Sequence, residues 1–251
     1  MPKLLRRQIP KALFAALVLA AALFTLLPFL FMLSSSFKGE EAIRTIPIRW
    51  IPERPTLEGY IRVFNMPGFS FPRASLNSLF LALATTLVQV LSACMAAFVF
   101  AKLPFRGSGR LFGLYLATMM IPGTVTMVPN YIILRLLGLL DSYTGLILPA
   151  LANAFGVFLM RQAMMTVSDS YLESAMLDGA SLYRAFFAIL LPMVSPTLFT
   201  LILLAFMGSW NSYLWPLIVL TSTGKQTLQV VLGNMNSTTC RVCLPVQTLQ
   251  V

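Results

Sequence analysis

Apolar residues are concentrated in five long stretches, which polar segments separate. A helix of about 17–25 apolar residues crosses the hydrocarbon core of a bilayer. The pattern therefore predicts an all-α, polytopic membrane protein with five transmembrane helices in a membrane domain at 1–233 and an atypical tail at 234–251. We place the five helices at residues 12–33, 77–101, 111–134, 144–160 and 185–207.

The polar segments predict the topology. Residues 1–11 and the short turn at 102–110 are basic and contain no acid. Because short basic segments stay on the cytoplasmic side of a membrane, we expect the N-terminus in the cytoplasm. The mixed-charge segment at 34–76 is then an external, partly structured loop, and the polar segment at 161–184 is cytoplasmic by alternation.

Composition excludes several classes of protein. The chain is 58% hydrophobic and 10% charged, whereas soluble domains carry about 25% charged residues, so a water-soluble fold is excluded. The net charge of +10 comes largely from bases that flank the spans, which argues against nucleic-acid binding. There is no histidine, and Cys94, Cys240 and Cys243 cannot supply a four-ligand zinc site. We expect no enzymatic activity, no metal and no bound cofactor.

The predicted spans contain no acidic residue. An ionisable group inside a membrane costs roughly 2.5–3.5 kcal/mol and generally marks an ion or proton path, so ion-coupled transport lacks its usual residues. Pro122, Gly123 and Pro129 interrupt the third span, and such interruptions need neighbouring helices to satisfy the backbone. Ordinary helix packing accounts for these interruptions, and a flexible permeation pathway would account for them as well.

The segment from Ser168 to Pro192 carries the clearest local signals. Ser170 and Glu173 have the spacing of a capping box, while Leu172, Ala175 and Met176 share one helical face. Gly179 can end the helix in a left-handed conformation, and Ser181 can cap the next one. We therefore predict a short amphipathic helix, then a sharp turn into the fifth span. Its acids, Glu173 and Asp178, favour docking to a protein over docking to lipid.

This segment resembles the cytoplasmic EAA loop of the permease subunits of ABC transporters. The family pattern is Glu-Ala-Ala, three residues, Gly, nine residues, Ile, one residue, Leu-Pro. The chain matches it with Glu173-Ser174-Ala175, Gly179 and Ile189-Leu190-Leu191-Pro192, at the same spacing. The departure is Ser174 in place of alanine, a change between two small residues.

Three further stretches resemble the carbohydrate branch of that family, which includes maltose and glycerol-3-phosphate importers. They are 120–149, 158–162 and 210–217, and the resemblance covers roughly residues 10–233. It implies a type I importer permease with a cytoplasmic ABC ATPase dimer, a second permease subunit and an external solute-binding protein as partners, in the lipid of a bacterial inner membrane. It also implies an ATPase-coupling loop and a substrate pathway. The expected coupling residues are Glu173, Ser174, Ala175, Asp178, Gly179 and Pro192, and the pathway candidates are Trp210, Asn211 and Tyr213.

Two other classes stay open at this point. The chain could be a subunit of a secondary transporter or channel, or a membrane assembly protein that transports nothing. An ATPase is excluded, because the Gly224-Lys225 pair is followed by glutamine and no phosphate-binding loop is present. In the importer, ATP would be hydrolysed by the partner subunit.

The tail at 234–251 predicts a chain shorter than the family's working form. The resemblance implies six spans, yet no spanning run follows Gly233. Residues 247–251 also repeat residues 226–230 letter for letter. We expect a frameshift, a premature stop or an assembly error, with a natural short variant as the alternative, and poor assembly of this product.

Overall fold

The computed structural model describes residues 2–43, 49–65 and 69–243, with side chains described over 13–39, 42–43, 49–65 and 69–235. Helices are the regular structure of these residues, which contain no strand, so the all-α prediction is confirmed. Two units divide the chain at Pro67 and Gly68. The helices are α1 (Pro2–Ser36), α2 (Glu40–Ile43), α3 (Glu58–Phe64), α4 (Phe71–Lys102), α5 (Ser108–Ala117), α6 (Gly123–Leu136), α7 (Tyr143–Ile147), α8 (Ala154–Met165), α9 (Ser170–Leu177), α10 (Leu182–Arg184), α11 (Leu191–Met193), α12 (Ser195–Trp210), α13 (Leu214–Val219) and α14 (Leu228–Cys243).

The first unit is built on α1, whose Leu13–Ser36 portion is long and apolar enough to cross a membrane and is unburied within the structure. The helix ends at Ser36, three residues beyond the predicted boundary, and the loop that follows is partly helical, as α3 shows. Tyr60 of α3 donates its hydroxyl to Ser36 Oγ at 2.9 Å. The Lys38 ammonium lies 5.0 Å from the centre of the Phe31 ring.

Helix α4 begins at Phe71, so the predicted start at residue 77 is wrong. Pro72 suits a first helical turn because its φ is already helical and its missing amide has no partner there. Two polar residues near the start of α4 bind another segment of the chain. Asn77 Nδ2 donates to the Gly224 and Gln226 carbonyls at 3.0 and 3.1 Å, and Ser78 Oγ accepts the Leu228 amide at 2.7 Å.

The third, fourth and fifth predicted spans are bent, not continuous. Their two arms meet at 100° for Ser108–Met120 and Gly123–Leu136, at 43° for Tyr143–Leu151 and Ala154–Met165, and at 86° for Leu182–Met193 and Ser195–Trp210. Pro122 lies at the first break, and Pro192 and Pro196 flank the third; a proline lacks the amide that would continue a helix. The second break, at Ala152-Asn153, contains no proline. By length and composition, the described residues contain two helices able to span a membrane, or up to five if each bent pair forms one span.

The core of the second unit lies where α4 packs against α8 and α12. Small residues on α4, Ala93 and Ala97, are almost completely buried and let the backbones approach. On α8, Gly156 faces them, and a Cβ added there would lie 3.1 Å from Ala93 Cβ. Val157 and Met160 complete the contact. A second, smaller cluster lies nearer the start of α4 and comprises Leu81, Leu134, Leu146, Val219 and Leu220.

Candidate functional site

Helix α9 occupies the position predicted for the amphipathic coupling helix, but it begins differently. Its N-cap is Asp169, whose carbonyl accepts the Leu172 and Glu173 amides at 2.9 and 3.0 Å. Ser170 is therefore the first helical residue, and the predicted capping box with Glu173 is wrong. The Ser170 amide is instead 3.4 Å from the Ser168 hydroxyl, and no side chain caps the helix.

The two faces of α9 differ as its sequence predicts, with one exception. Leu172 and Ala175 are buried, and Leu172 belongs to the main apolar cluster together with Phe186. Met176, assigned to the same face, is half exposed. Glu173, Ser174 and Asp178 are exposed. Because the exposed face also carries Tyr171 and Leu177, it offers a mixture of acidic and apolar groups.

The end of α9 has the geometry of a Schellman motif. The Ala180 amide donates to the Ala175 carbonyl at 2.9 Å and the Gly179 amide to the Met176 carbonyl at 3.1 Å. Gly179 has a φ of +79°, as predicted, and a Cβ there would meet nothing within 4 Å. The glycine is required by backbone conformation, since space for a side chain is available.

Ser181 then starts the arm that leads from α9 to α12. Its hydroxyl accepts the Arg184 amide at 3.4 Å, in agreement with the predicted cap. A π-helical segment at Ala185–Leu190 and α11 follow, and exposed Pro192 lies in the last turn of the arm. The predicted span at 185–207 coincides with a bent pair of helices, because the chain turns by 86° between this arm and α12.

A lysine that the sequence pattern placed in the basic turn at 102–110 binds the start of α9. Lys102 is the last residue of α4, and its side chain is 4% exposed. Its ammonium donates to the Val167 carbonyl at 2.6 Å and to Asp169 Oδ1 at 2.5 Å. Close by, the Arg161 guanidinium donates to the Phe100 carbonyl at 3.2 Å and lies 4.2 Å from the centre of the Phe112 ring.

A cavity of about 420 Å³ lies towards the other end of α4. Leu81, Thr85 and Gln89 of α4 line it, and the Thr227 hydroxyl is buried without a hydrogen-bond partner. Every residue of the lining is uncharged. The lining residues are Ser78, Leu81, Thr85, Gln89, Gly123, Met127, Asn130, Leu146, Pro149, Ala150, Leu204, Ala205, Gly208, Ser209, Ser212, Trp215, Pro216 and Thr227.

The predicted pathway residues lie beside this cavity and do not line it. Trp210 ends α12 and stacks on Phe206, with ring centres 6.0 Å apart. Asn211 is the exposed C-cap of α12. Tyr213 packs close to Gly233, where a Cβ would lie 2.6 Å from the tyrosine ring. Their neighbours Ser209, Ser212 and Trp215 line the cavity instead, because the chain turns between α12 and α13.

The loop between α6 and α7 contains a second polar centre, Asp141. Its carboxylate accepts the Thr221 amide at 3.0 Å, the Ser222 amide and hydroxyl at 2.9 and 2.5 Å, and the Lys225 ammonium at 3.0 Å. The Lys225 ammonium also donates to the Asp141 carbonyl at 2.5 Å. Hydrogen bonds from Ser222, then from Lys225 and Thr221, hold the pKa of the Asp141 carboxyl well below its ordinary value. Asp141 also has a φ of +53°, a strained conformation for a residue other than glycine.

Possible metal ligands are sparse in the part of the chain that the structure describes. No three His, Cys, Asp or Glu side chains come together there. Cys94 is buried in the α4 core. Cys240 and Cys243 lie beyond the described side chains, and residues 247–251, which repeat 226–230, lie beyond the described chain.

Comparison with known proteins identifies the class. Residues 71–248 match the family described as binding-protein-dependent transport system inner membrane component. The match extends past Gly233, where we expected the resemblance to fade. The chain therefore belongs to this family, the permeases of ABC importers, which are transport components and not enzymes. The expected class is confirmed, and the two alternative classes are set aside.

Individual relatives agree with this assignment. An arabinooligosaccharides transport system permease protein of Halalkalibacterium halodurans is 31% identical over 216 residues, which are 85% of this chain and 77% of that protein. An sn-glycerol-3-phosphate transport system permease protein of Shigella flexneri is 33% identical over 203 residues, or 79% and 72% of the two chains. A bacterial ABC transporter that imports the acidic polysaccharide alginate superposes with a TM-score of 0.80 at 27% identity, covering 97% of this chain and 82% of that chain.

Proposed function

We propose that this chain forms one half of the membrane pathway of an ATP-driven importer for an uncharged sugar or sugar derivative. Its partners are a cytoplasmic ABC ATPase dimer, a second permease subunit and an external solute-binding protein. It lies in a bacterial inner membrane with its N-terminus in the cytoplasm. ATP is bound and hydrolysed by the ATPase, and this chain holds no cofactor.

Helix α9 is the observation that carries the proposal. It presents Glu173, Ser174 and Asp178 outward while Leu172 and Ala175 hold it on the core. The Schellman motif at Gly179 and the Ser181 cap join it stiffly to the arm at Leu182–Met193. A rigid helix that docks on the ATPase can transmit closure of that dimer to the membrane helices, and alternating access requires such an element.

The cavity supports the second half of the proposal, the substrate. Its polar groups are hydroxyls and amides, such as Thr85, Gln89 and Thr227, and Trp215 adds an aromatic surface. Hydroxyls and amides exchange hydrogen bonds with sugar hydroxyls. An anion would need a compensating charge in this weakly polar setting, and the lining supplies none. The cargoes named for the relatives include neutral and acidic ones, and the lining favours a neutral one.

Co-purification tests the coupling assignment. We expect Glu173→Lys to lower the amount of ATPase that co-purifies with the chain, because the reversed charge lies on the docking face. Gln162→Lys, exposed on α8, is the matched control and should retain the ATPase. Equal retention of the ATPase by both variants at equal membrane levels would contradict the assignment.

Uptake tests the substrate. In proteoliposomes that contain the whole importer with its own binding protein, we expect ATP-dependent uptake of labelled arabinotriose and not of sn-glycerol 3-phosphate. Gln89→Lys should lower this uptake several-fold, whereas Asn211→Lys, outside the cavity lining, should leave it close to wild type. ATP-dependent uptake of the anion alone would contradict the neutral substrate while leaving the importer intact.

A further inference from the structure

Lys102 occupies an unusual position for a basic residue. It ends α4, the long helix that packs against both α8 and α12, and its side chain is almost completely buried. The charge lies at a helix C-terminus, where the helix dipole favours a cation. A buried ammonium nevertheless requires acceptors, and it finds them in the segment that leads into α9. They are the Val167 carbonyl and the Asp169 carboxylate.

These contacts attach α9 to α4 at a defined point. Asp169 is the N-cap of α9, and Val167 is a buried member of the main apolar cluster. The bond therefore fixes the first turn of α9 to the last turn of α4. The other end of α9 continues through Gly179 and Ser181 into the arm towards α12. The helix is thus connected to two different membrane helices, to one by the chain and to the other by Lys102.

Helix α4 leads from this bond to the cavity. Gln89 lines the cavity and lies on the same continuous helix as Lys102. Thirteen residues of α-helix span about 20 Å, and an unbroken helix of that length moves as one body. A displacement of the first turn of α9 therefore reaches the cavity wall directly, provided that the Lys102 bond holds.

We propose that Lys102 is a positioning residue for energy coupling, which transmits movement of α9 to α4 and so to the substrate cavity. This inference rests on the proposed function, since it assumes that α9 is the element moved by the ATPase. The chain-linked route through Ser181 moves α12. The Lys102 route moves α4 at the same time, so two of the helices that line the cavity, α4 and α12, respond together.

The two partners of the bond differ in a way that the test can use. The Asp169 side chain is 73% exposed and caps no amide of α9. Asp169→Ala therefore removes the ion pair with little other cost to the fold. Lys102→Met removes the charge and leaves the Val167 carbonyl without its donor. Lys102→Arg keeps a cation at the same place.

The test compares uptake with ATP hydrolysis in the whole reconstituted importer, with labelled arabinotriose as the probe. We expect Lys102→Met to retain the co-purified ATPase and its hydrolysis while uptake per ATP falls by about tenfold, in the range typical of coupling between sites. Asp169→Ala should act in the same direction to a smaller extent, and Lys102→Arg should restore most of the ratio. Arg106→Met, exposed in the turn after α4, is the control and should match wild type.

The outcomes separate this inference from the proposed function. If the wild-type importer shows no ATP-dependent uptake of any sugar, the proposed function is wrong. If wild type transports and Lys102→Met keeps the wild-type ratio of uptake to hydrolysis, the coupling role of Lys102 is wrong. Should Lys102→Met fail to assemble, Asp169→Ala decides the matter, and an unchanged ratio in that variant overturns the inference.

Discussion

Two lysine–aspartate pairs join distant parts of the second unit, and they do so by different physical means. Lys102 is 4% exposed and binds an aspartate that is 73% exposed. Lys225 and Asp141 are 41% and 26% exposed, so that pair lies in contact with solvent. In the first pair the buried cation is the group that needs acceptors. In the second pair the aspartate is the central group, which we call the Asp141 hub, because four donors surround its carboxylate.

The difference indicates what each pair does. The buried Lys102 cation, with its two acceptors, joins α4 to the start of α9 at a single place. Its loss therefore affects mainly how these two helices move together. The Asp141 hub satisfies the amides of a whole turn, at Thr221 and Ser222, and holds its own backbone in a strained conformation. Its loss therefore affects the stability of that end of the fold. We therefore expect variants of the Asp141 pair to lower stability more than coupling, and variants of the Lys102 pair to lower coupling more than stability.

The largest stability effect is expected at Asp141. Asp141→Ala leaves the Thr221 amide and both the amide and the hydroxyl of Ser222 without their acceptor. The Lys225 ammonium keeps only the backbone carbonyl of residue 141, and alanine is placed at a φ of +53°. We expect a destabilisation of about 2 kcal/mol or more, measured as a lowered unfolding temperature of the purified importer in detergent. Asp169→Ala should lower that temperature far less. A reversed order of the two variants would contradict the comparison.

The pH dependence of stability tests whether the charge of Asp141 is what stabilises this part of the fold. Because the folded-state pKa of Asp141 is lowered, its ionised form stabilises the fold. This contribution is complete above about pH 5, starts to decline near the unfolded pKa of about 3.9, and is lost as the pH falls through the lowered folded pKa. The unfolding temperature of the wild type should therefore fall on acidification more steeply than that of Asp141→Asn. Parallel curves would show that the hub does not depend on charge.

The sequence predicted most of the structure around α9 and less of the structure around the cavity, for physical reasons. Gly179 and Ser181 act through their immediate neighbours, so their roles could be predicted from local spacing. Lys102 and Asp141 act on residues far along the chain, at Asp169 and Ser222, and no local pattern indicates such partners.

The bends escaped prediction for a related reason. Hydropathy indicates where an apolar stretch lies and how long it is, so Pro122 was visible as an interruption while the angles of 100° and 86° were not. The position of the predicted pathway residues beside the cavity has a separate local cause. The turn after Trp210 takes Asn211 to the surface and brings Trp215 into the cavity lining instead.

A smaller effect on stability is expected at Gly179, where a substitution would introduce backbone strain that the wild type does not have. A Cβ at this position has space, so Gly179→Ala costs only the left-handed backbone, about 1 kcal/mol. Asparagine tolerates that conformation better, so Gly179→Asn should fall between alanine and wild type. The measurement is ATPase co-purification, which tests the proposed docking of α9, together with the unfolding temperature. An alanine variant identical to wild type in both would show that the turn adapts without cost.

The smallest effects are expected at two serine caps, Ser142 next to Asp141 and Ser181 in the turn that follows α9. Ser142 Oγ accepts the Gly145 amide at 3.1 Å and donates to the Leu139 carbonyl at 2.6 Å, whereas Ser181 Oγ lies 3.4 Å from the Arg184 amide. Loss of an N-cap typically costs about 1 kcal/mol. We expect Ser142→Ala to approach that value and Ser181→Ala to fall below it, because the second bond is longer and single. Ser181→Ala should instead lower uptake per ATP slightly, since the cap stiffens the arm from α9. The comparison would be wrong if Ser181→Ala destabilised the fold more than Ser142→Ala and left coupling unchanged. In that case the Asp141 region would not be the one that sets stability, nor the α9 region the one that transmits movement.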